Sequence, residues 1–113
     1  MSIKRIIVIC CNATVLLLAT SVAFAVNPSY ERGVEANEDY RYSEALMHFM
    51  FAAEQGDPNA QRNLGLMLLY GERLYSRNVP RNHEQAKRWL LAASRQGCEV
   101  SSFMLKVMAQ HAQ

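Results

Sequence analysis

The side chains best suited to chemistry in this sequence are one cysteine and three histidines: Cys98, His48, His83 and His111. A thiol beside an imidazole base can act as a nucleophile, and Cys98 could in principle pair with His83 or His111. These residues follow no catalytic motif, however, and the chain contains no CxxC or HxxxH spacing of the kind that holds zinc. We therefore predict a non-catalytic protein with no metal site and no cofactor. The alternative that stays open is a small envelope hydrolase or cell-wall-binding enzyme that uses Cys98 with a histidine.

The first 25 residues have the order of a secretory signal peptide. Lys4 and Arg5 precede an apolar run over residues 6–18, and small side chains follow at Ala23 and Ala25. We expect cleavage after Ala25, which would place the protein in the periplasm or outside the cell with no membrane anchor. An uncleaved anchor is the competing interpretation, since a spanning helix needs roughly 20 apolar residues.

The expected mature chain, residues 26–113, is one small domain. Removing 25 of the 113 residues leaves 88, which is enough for only a modest core. Ten Lys or Arg and ten Asp or Glu remain, so the domain is close to neutral. This balance argues against nucleic acid, whose binding proteins concentrate basic charge. Cys98 is the single cysteine of this domain and has no partner for an internal disulfide.

Charge is distributed unevenly along the domain. Acidic side chains cluster over residues 31–44, and basic side chains cluster over residues 73–88. A solvated surface accounts for this pattern. The alternatives are steering of an acidic partner and end-to-end self-association.

Comparison of the sequence with itself shows a repeat. A shift of 41 residues places Ala45 on Ala86, Ala52 on Ala93, Gln55-Gly56 on Gln96-Gly97, Phe49 on Leu90, Leu64 on Leu105 and Met67 on Met108. Such a period is typical of stacked helical units that bury their apolar faces against each other. We predict an all-α fold: a short α-solenoid of antiparallel helix pairs.

Helical periodicity and capping residues predict five helices. Asp57 is expected to cap the third helix, and Gly56 and Gly97 are expected to end the helices before them. The expected spans are 28–39, 42–55, 58–70, 83–96 and 99–111.

The last helix is expected to be a cap for the stack. Its apolar stripe is Val100, Phe103, Met104, Val107 and Met108, and its water-facing side is Ser101, Ser102, Lys106 and Gln110.

Several of these residues resemble the Sel1-like repeat, a relative of the tetratricopeptide repeat. The resemblance lies in Leu64-Gly65-Leu66-Met67, Gly71, Val79-Pro80-Arg81-Asn82, Ala92-Ala93 and Gln96-Gly97. The chain differs over residues 72–78, where the family has a short link with a second glycine. We expect a longer, mobile loop there.

The resemblance implies protein–protein or protein–peptide interaction in signalling, envelope processes or virulence. By the tetratricopeptide pattern, the first helix of each pair lines a concave groove. The expected groove residues are Asn27, Tyr30, Asn37, Asn59, Arg62, Leu66 and Tyr70. The alternative is that Leu66, Leu69 and Tyr70 form core beneath a closed stack. Because two repeats bury little core, a homo-oligomer is a further expectation.

Overall fold

The computed structural model describes residues 26–112, so the predicted signal peptide lies outside the described residues. Five α-helices follow one another: α1 Pro28–Glu38, α2 Tyr42–Glu54, α3 Pro58–Tyr70, α4 His83–Arg95 and α5 Glu99–His111. A short 3-10 helix, Gly71–Arg73, follows α3. The five predicted helices are confirmed. They differ from the expected spans by one residue, at the carboxyl ends of α1, α2 and α4.

Polar side chains cap the first turns of α1 and α3. The Asn27 side chain accepts hydrogen bonds from the first turn of α1. The Asp57 carboxylate accepts from Asn59 N at 2.9 Å and Ala60 N at 3.0 Å, as predicted. In both helices proline follows the cap, where its missing N–H leaves no hydrogen bond unmade.

Four helix ends turn through a residue with positive φ, and at the end of α3 this residue is Gly71. Gly56 and Gly97 hold φ of 91° and 92° after α2 and α4, as their predicted role requires. Tyr40 occupies the same place after α1 with φ of 61°. This conformation is strained for a side chain with a Cβ, so the first turn is less favourable than the two glycine turns.

Successive helices pack against one another in a stack, and the short turns at residues 39–41, 55–57 and 96–98 make those neighbours antiparallel. The described residues are all-helical, as predicted. Small side chains bring the helices close, and a few large ones fill the space between them. The buried core contains Ala36, Ala45, Phe49, Ala52, Ala53, Ala60, Leu64, Met67, Leu68, Leu69, Val79, Ala86, Leu90 and Ala93.

A glycine lies at a close helix contact within each pair. A Cβ on Gly33 of α1 would lie 2.6 Å from the Phe49 ring of α2. A Cβ on Gly65 of α3 would lie 2.7 Å from Leu90 Cγ of α4. Phe49 and Leu90 are equivalent under the 41-residue shift, so in both pairs a glycine of the first helix packs against the same core position of the second.

The Gln-Gly ending of each pair has a structural role. Gln96 Nε2 donates to Gly56 O at 3.0 Å and to Gln61 Oε1 at 2.8 Å, which joins the end of α4 to the start of α3. Gln55, its equivalent, accepts from Asn27 Nδ2 at 2.7 Å. The glutamine therefore fixes the second helix of each pair to the first.

The predicted faces of α5 are partly wrong. Met104 and Met108 pack on the core, but Val100 and Phe103 are 50% and 63% exposed, and Ser101 is fully buried. The 41-residue shift gives the reason: Ser101 takes the place of buried Ala60, and a small residue is needed there. Serine is tolerated because its Oγ donates to Cys98 Sγ at 3.2 Å.

The segment after α3 contacts the helices, and the expected mobility of residues 72–78 stays a prediction. Tyr75 packs edge-on against Tyr42 with ring centroids 5.2 Å apart, and Val79 is fully buried. Asn82 N donates to Leu68 O at 2.8 Å. Among residues 72–78, Tyr75 therefore supplies a packing contact.

Candidate partner-binding surface

The structure separates the cysteine from the two histidines considered as its partners. His83 begins α4, while Cys98 follows the end of α4 and precedes α5. His111 is the last residue of α5. Each helix has 13 residues, a length of roughly 20 Å at 1.5 Å per residue. Cys98 therefore lies at the opposite ends of α4 and α5 from His83 and His111 and cannot form a nucleophilic pair with either.

Cys98 has its own polar surroundings. Partial burial alone would raise the pKa of its thiol, but the hydrogen bond from Ser101 and the nearby Arg62 guanidinium outweigh this effect and hold the pKa below its ordinary value. A lowered thiol pKa increases the thiolate fraction at neutral pH. A larger thiolate fraction favours reaction with thiol reagents, but it does not supply a catalytic base.

Metal-ligating residues do not converge in the described chain. Over residues 26–112, no group of three or more His, Cys, Asp or Glu side chains has an arrangement suited to an ion. In the same range, no helix is both long enough and apolar enough to cross a bilayer.

Among the predicted groove residues, Asn27 and Tyr30 of the first repeat make structural contacts. Asn27 caps α1 and binds Gln55. The Tyr30 ring is half-buried and lies 5.9 Å from the Phe49 ring. Asn37 is half-buried, and its Oδ1 is screened from solvent without a hydrogen-bond partner in the described chain.

The predicted groove residues of the second repeat lie along α3. Asn59 is exposed near its start, Arg62 and Leu66 are half-buried, and Tyr70 is 38% exposed at its end. Arg62 Nε donates to Asn63 Oδ1 at 3.3 Å. About 12 Å of helix separates Arg62 from Tyr70. Arg62 therefore lies toward Cys98, whereas Tyr70 lines the cleft described next. The predicted groove as a whole stays a prediction.

A cleft of about 520 Å³ opens where the end of α3, the start of α4 and the end of α5 meet. We call it the terminal cleft. Apolar side chains that are buried or half-buried line it: Leu69, Met104, Leu105, Val107 and Met108. Tyr70, a predicted groove residue, lies on its α3 side.

Basic groups surround this apolar lining. Arg73 and Lys87 are exposed cations at the terminal cleft, and His83 and His111 add imidazole groups. Glu84 is the one acidic side chain in the lining. An apolar cleft with cations at its edge suits a ligand that brings apolar side chains and negative charge together.

Sequence reasoning found Tyr70 but missed most of the terminal cleft. Its residues come from three helices, and periodicity within one helix does not show which ends meet. The 41-residue shift held a usable signal. It places Lys106 of α5 at the position of Gly65, where a second helix would have to approach closely. The lysine indicates that α5 lacks such a neighbouring helix. Apolar residues of α5 are therefore accessible.

Comparison with known protein families matches the two helix pairs, α1 with α2 and α3 with α4, as separate repeats. A family model described as Sel1 repeat matches residues 29–57 and residues 58–98. No curated protein and no solved structure matches the chain.

Proposed function

The chain belongs to the Sel1 repeat family, and on that premise we propose that it is a non-catalytic, exported adaptor that binds a protein partner through the terminal cleft. Sel1 repeats are generally protein–protein interaction modules, and the family is typically non-catalytic. The observation that carries the proposal is the apolar, basic-edged cleft beside Tyr70.

The chemistry of the cleft defines the partner. Leu69, Met104 and Val107 offer apolar contact to one or a few aliphatic or aromatic side chains. Arg73 and Lys87 attract carboxylates at the edge, where charge increases the association rate and selects among partners. The partner is therefore a protein segment with apolar side chains flanked by Asp or Glu.

The exported location rests on residues 1–25. A basic start, an apolar run and small residues before Ala25 support transport to the periplasm or beyond. An adaptor at that location would act in envelope processes, signalling or virulence. The mass of the protein recovered from the envelope tests this step: removal of residues 1–25 supports export with cleavage, and an intact amino end contradicts it.

Two neighbouring residues of α4 give a matched test of the terminal cleft. Lys87 lines this cleft, whereas Arg88 lines a different groove, and both are exposed. Lys87→Glu and Arg88→Glu change the net charge equally. Purification of each tagged variant from the envelope, with quantitative mass spectrometry, compares their partners.

We expect Lys87→Glu to lose at least about 90% of the specific partner, which corresponds to about 1.4 kcal/mol. Arg88→Glu should retain it. Equal recovery with both variants, or no specific partner with the parent protein, would contradict binding at the terminal cleft.

A further inference from the structure

The exposed side of α2 carries an apolar stripe. Met47, Met50 and Phe51 are 61%, 39% and 54% exposed. Their spacing of three and four residues puts them on one face of the helix, away from buried Phe49. Large apolar side chains that are exposed this close together are unusual on a solvated helix and are typical of an interface.

A groove lies beside this stripe, between α2 and α4. Its volume is about 390 Å³, and we call it the outer groove. Met50 and Glu54 form its α2 wall, and Gln85, Arg88, Trp89 and Ala92 form its α4 wall. The outer groove is separate from the terminal cleft because the two share no lining residue.

The two walls carry opposite charges. Glu54 stands on the α2 wall and Arg88 on the α4 wall. Neither forms an ion pair with another residue in the range 26–112. Both side chains are exposed and available to a molecule that covers the groove.

We propose that the outer groove and the adjoining α2 stripe bind a second copy of this chain about a two-fold axis. A two-fold interface needs a patch that is complementary to itself. This patch has a protruding apolar side chain, Met47, beside a groove with an apolar lining. It also has one acidic and one basic wall. Rotation by two-fold symmetry places Met47 of each copy in the groove of its partner and Glu54 of each copy opposite the partner's Arg88.

This inference concerns a surface that the proposed partner does not use. The dimer leaves both terminal cleft surfaces open, so each dimer presents two binding sites for the partner. Two matched repeats by themselves enclose only a small core. A dimer increases the apolar area that this fold buries.

Sedimentation velocity of the protein, in the form in which the cell accumulates it, tests for the dimer across a concentration series. Trp89 is the single tryptophan of the chain and lies in the outer groove. Its emission should therefore move to shorter wavelength over the same concentrations at which the dimer forms. A monomer at every concentration, or a dimer without change in Trp89 emission, overturns the proposal.

A charge-exchange series tests the arrangement of the two copies. Glu54→Arg alone and Arg88→Glu alone each place like charges opposite one another, and each should weaken the dimer about tenfold or more. The double variant, Glu54→Arg with Arg88→Glu, should restore it. Glu31→Arg on α1, which is exposed and outside the groove, is the control for net charge and should leave the dimer unchanged. Circular dichroism confirms that each variant is folded.

Three results overturn the two-fold arrangement: unchanged dimerisation in both single variants, failure of the double variant to recover, or an equal loss with Glu31→Arg. The Lys87→Glu variant distinguishes this inference from the proposed function. It should lose the partner and keep the dimer, while Arg88→Glu should do the reverse.

Discussion

Replacement of Gly65 by alanine should destabilise the fold, although alanine favours a helix more than glycine does. The new Cβ would lie 2.7 Å from Leu90 Cγ and 3.3 Å from Ala86 O, whereas an ordinary carbon–carbon contact is about 3.5–4 Å. Leu90 is fully buried. Relief of this contact therefore requires either a shift of the buried Leu90 side chain or separation of the two helices.

The expected loss follows from two opposing effects. Overfilling a packed core costs about 1–3 kcal/mol. The gain in helix propensity offsets up to about 1 kcal/mol. Because the contact involves a buried side chain and a backbone carbonyl, we expect a net loss of about 1–2 kcal/mol in the free energy of unfolding. For a domain of this size each kcal/mol lowers Tm by about 4–8 °C.

Urea denaturation followed by circular dichroism measures this loss and its cause. Leu90→Ala alone should cost about 2–5 kcal/mol. The double variant should lose at least about 1 kcal/mol less than the sum of the single losses, because the new methyl group then enters the space vacated by Leu90. Lys106→Ala, at the equivalent position on α5, is the control and should change stability by less than about 0.5 kcal/mol. Additive losses, or a Gly65→Ala protein as stable as the parent, would refute the close-packing account.

Four further variants test local features. Asp57→Ala removes the cap of α3 and should cost about 1 kcal/mol in thermal denaturation; an unchanged Tm would mean that the observed cap is not stabilising. Gly56→Ala should cost about 1–2 kcal/mol through backbone strain alone, since its new Cβ would contact nothing within 4 Å, and an equally stable variant would contradict that reason. Ser101→Ala should raise the pKa of the Cys98 thiol, so the pH profile of alkylation shifts upward; a shift downward or none would exclude the hydrogen bond as its cause. Burial, and then two nearby tyrosines, raise the pKa of Tyr75 above its usual value of 10.0. The contribution of Tyr75 to stability is therefore complete below pH 10.0 and is lost as pH rises through the higher pKa of the folded state. Tyr75→Phe should reduce this alkaline loss in stability titrations, and an identical loss in the variant would contradict the assignment.

Local signals predicted the helices well because each end has its own chemistry. Asp57-Pro58 starts α3 and Gly97 ends α4 through backbone geometry that needs no distant contact. The 41-residue shift also identified the equivalent core positions Phe49 and Leu90. The repeat identifies these positions because each unit buries a large side chain at the same place.

The errors came where tertiary contacts override local pattern. Ser101 looks solvent-facing by polarity, yet it is buried because its position needs a small side chain next to α4. The segment containing Tyr75 lacks regular structure, and its aromatic contact with a distant helix was not predicted. The terminal cleft depends on the relative placement of three helix ends, which no single stretch of sequence specifies.

Cross-linking from inside the terminal cleft tests the central claim most directly. A photoreactive amino acid at Tyr70, which lines the cleft, is compared with the same group at Glu31 on the exposed side of α1. Irradiation of the intact envelope followed by mass spectrometry identifies the attached proteins. The account predicts one specific protein adduct from position 70, absent from position 31 and lost when Lys87→Glu is added. The same adducts from both positions, or none from position 70, would contradict it.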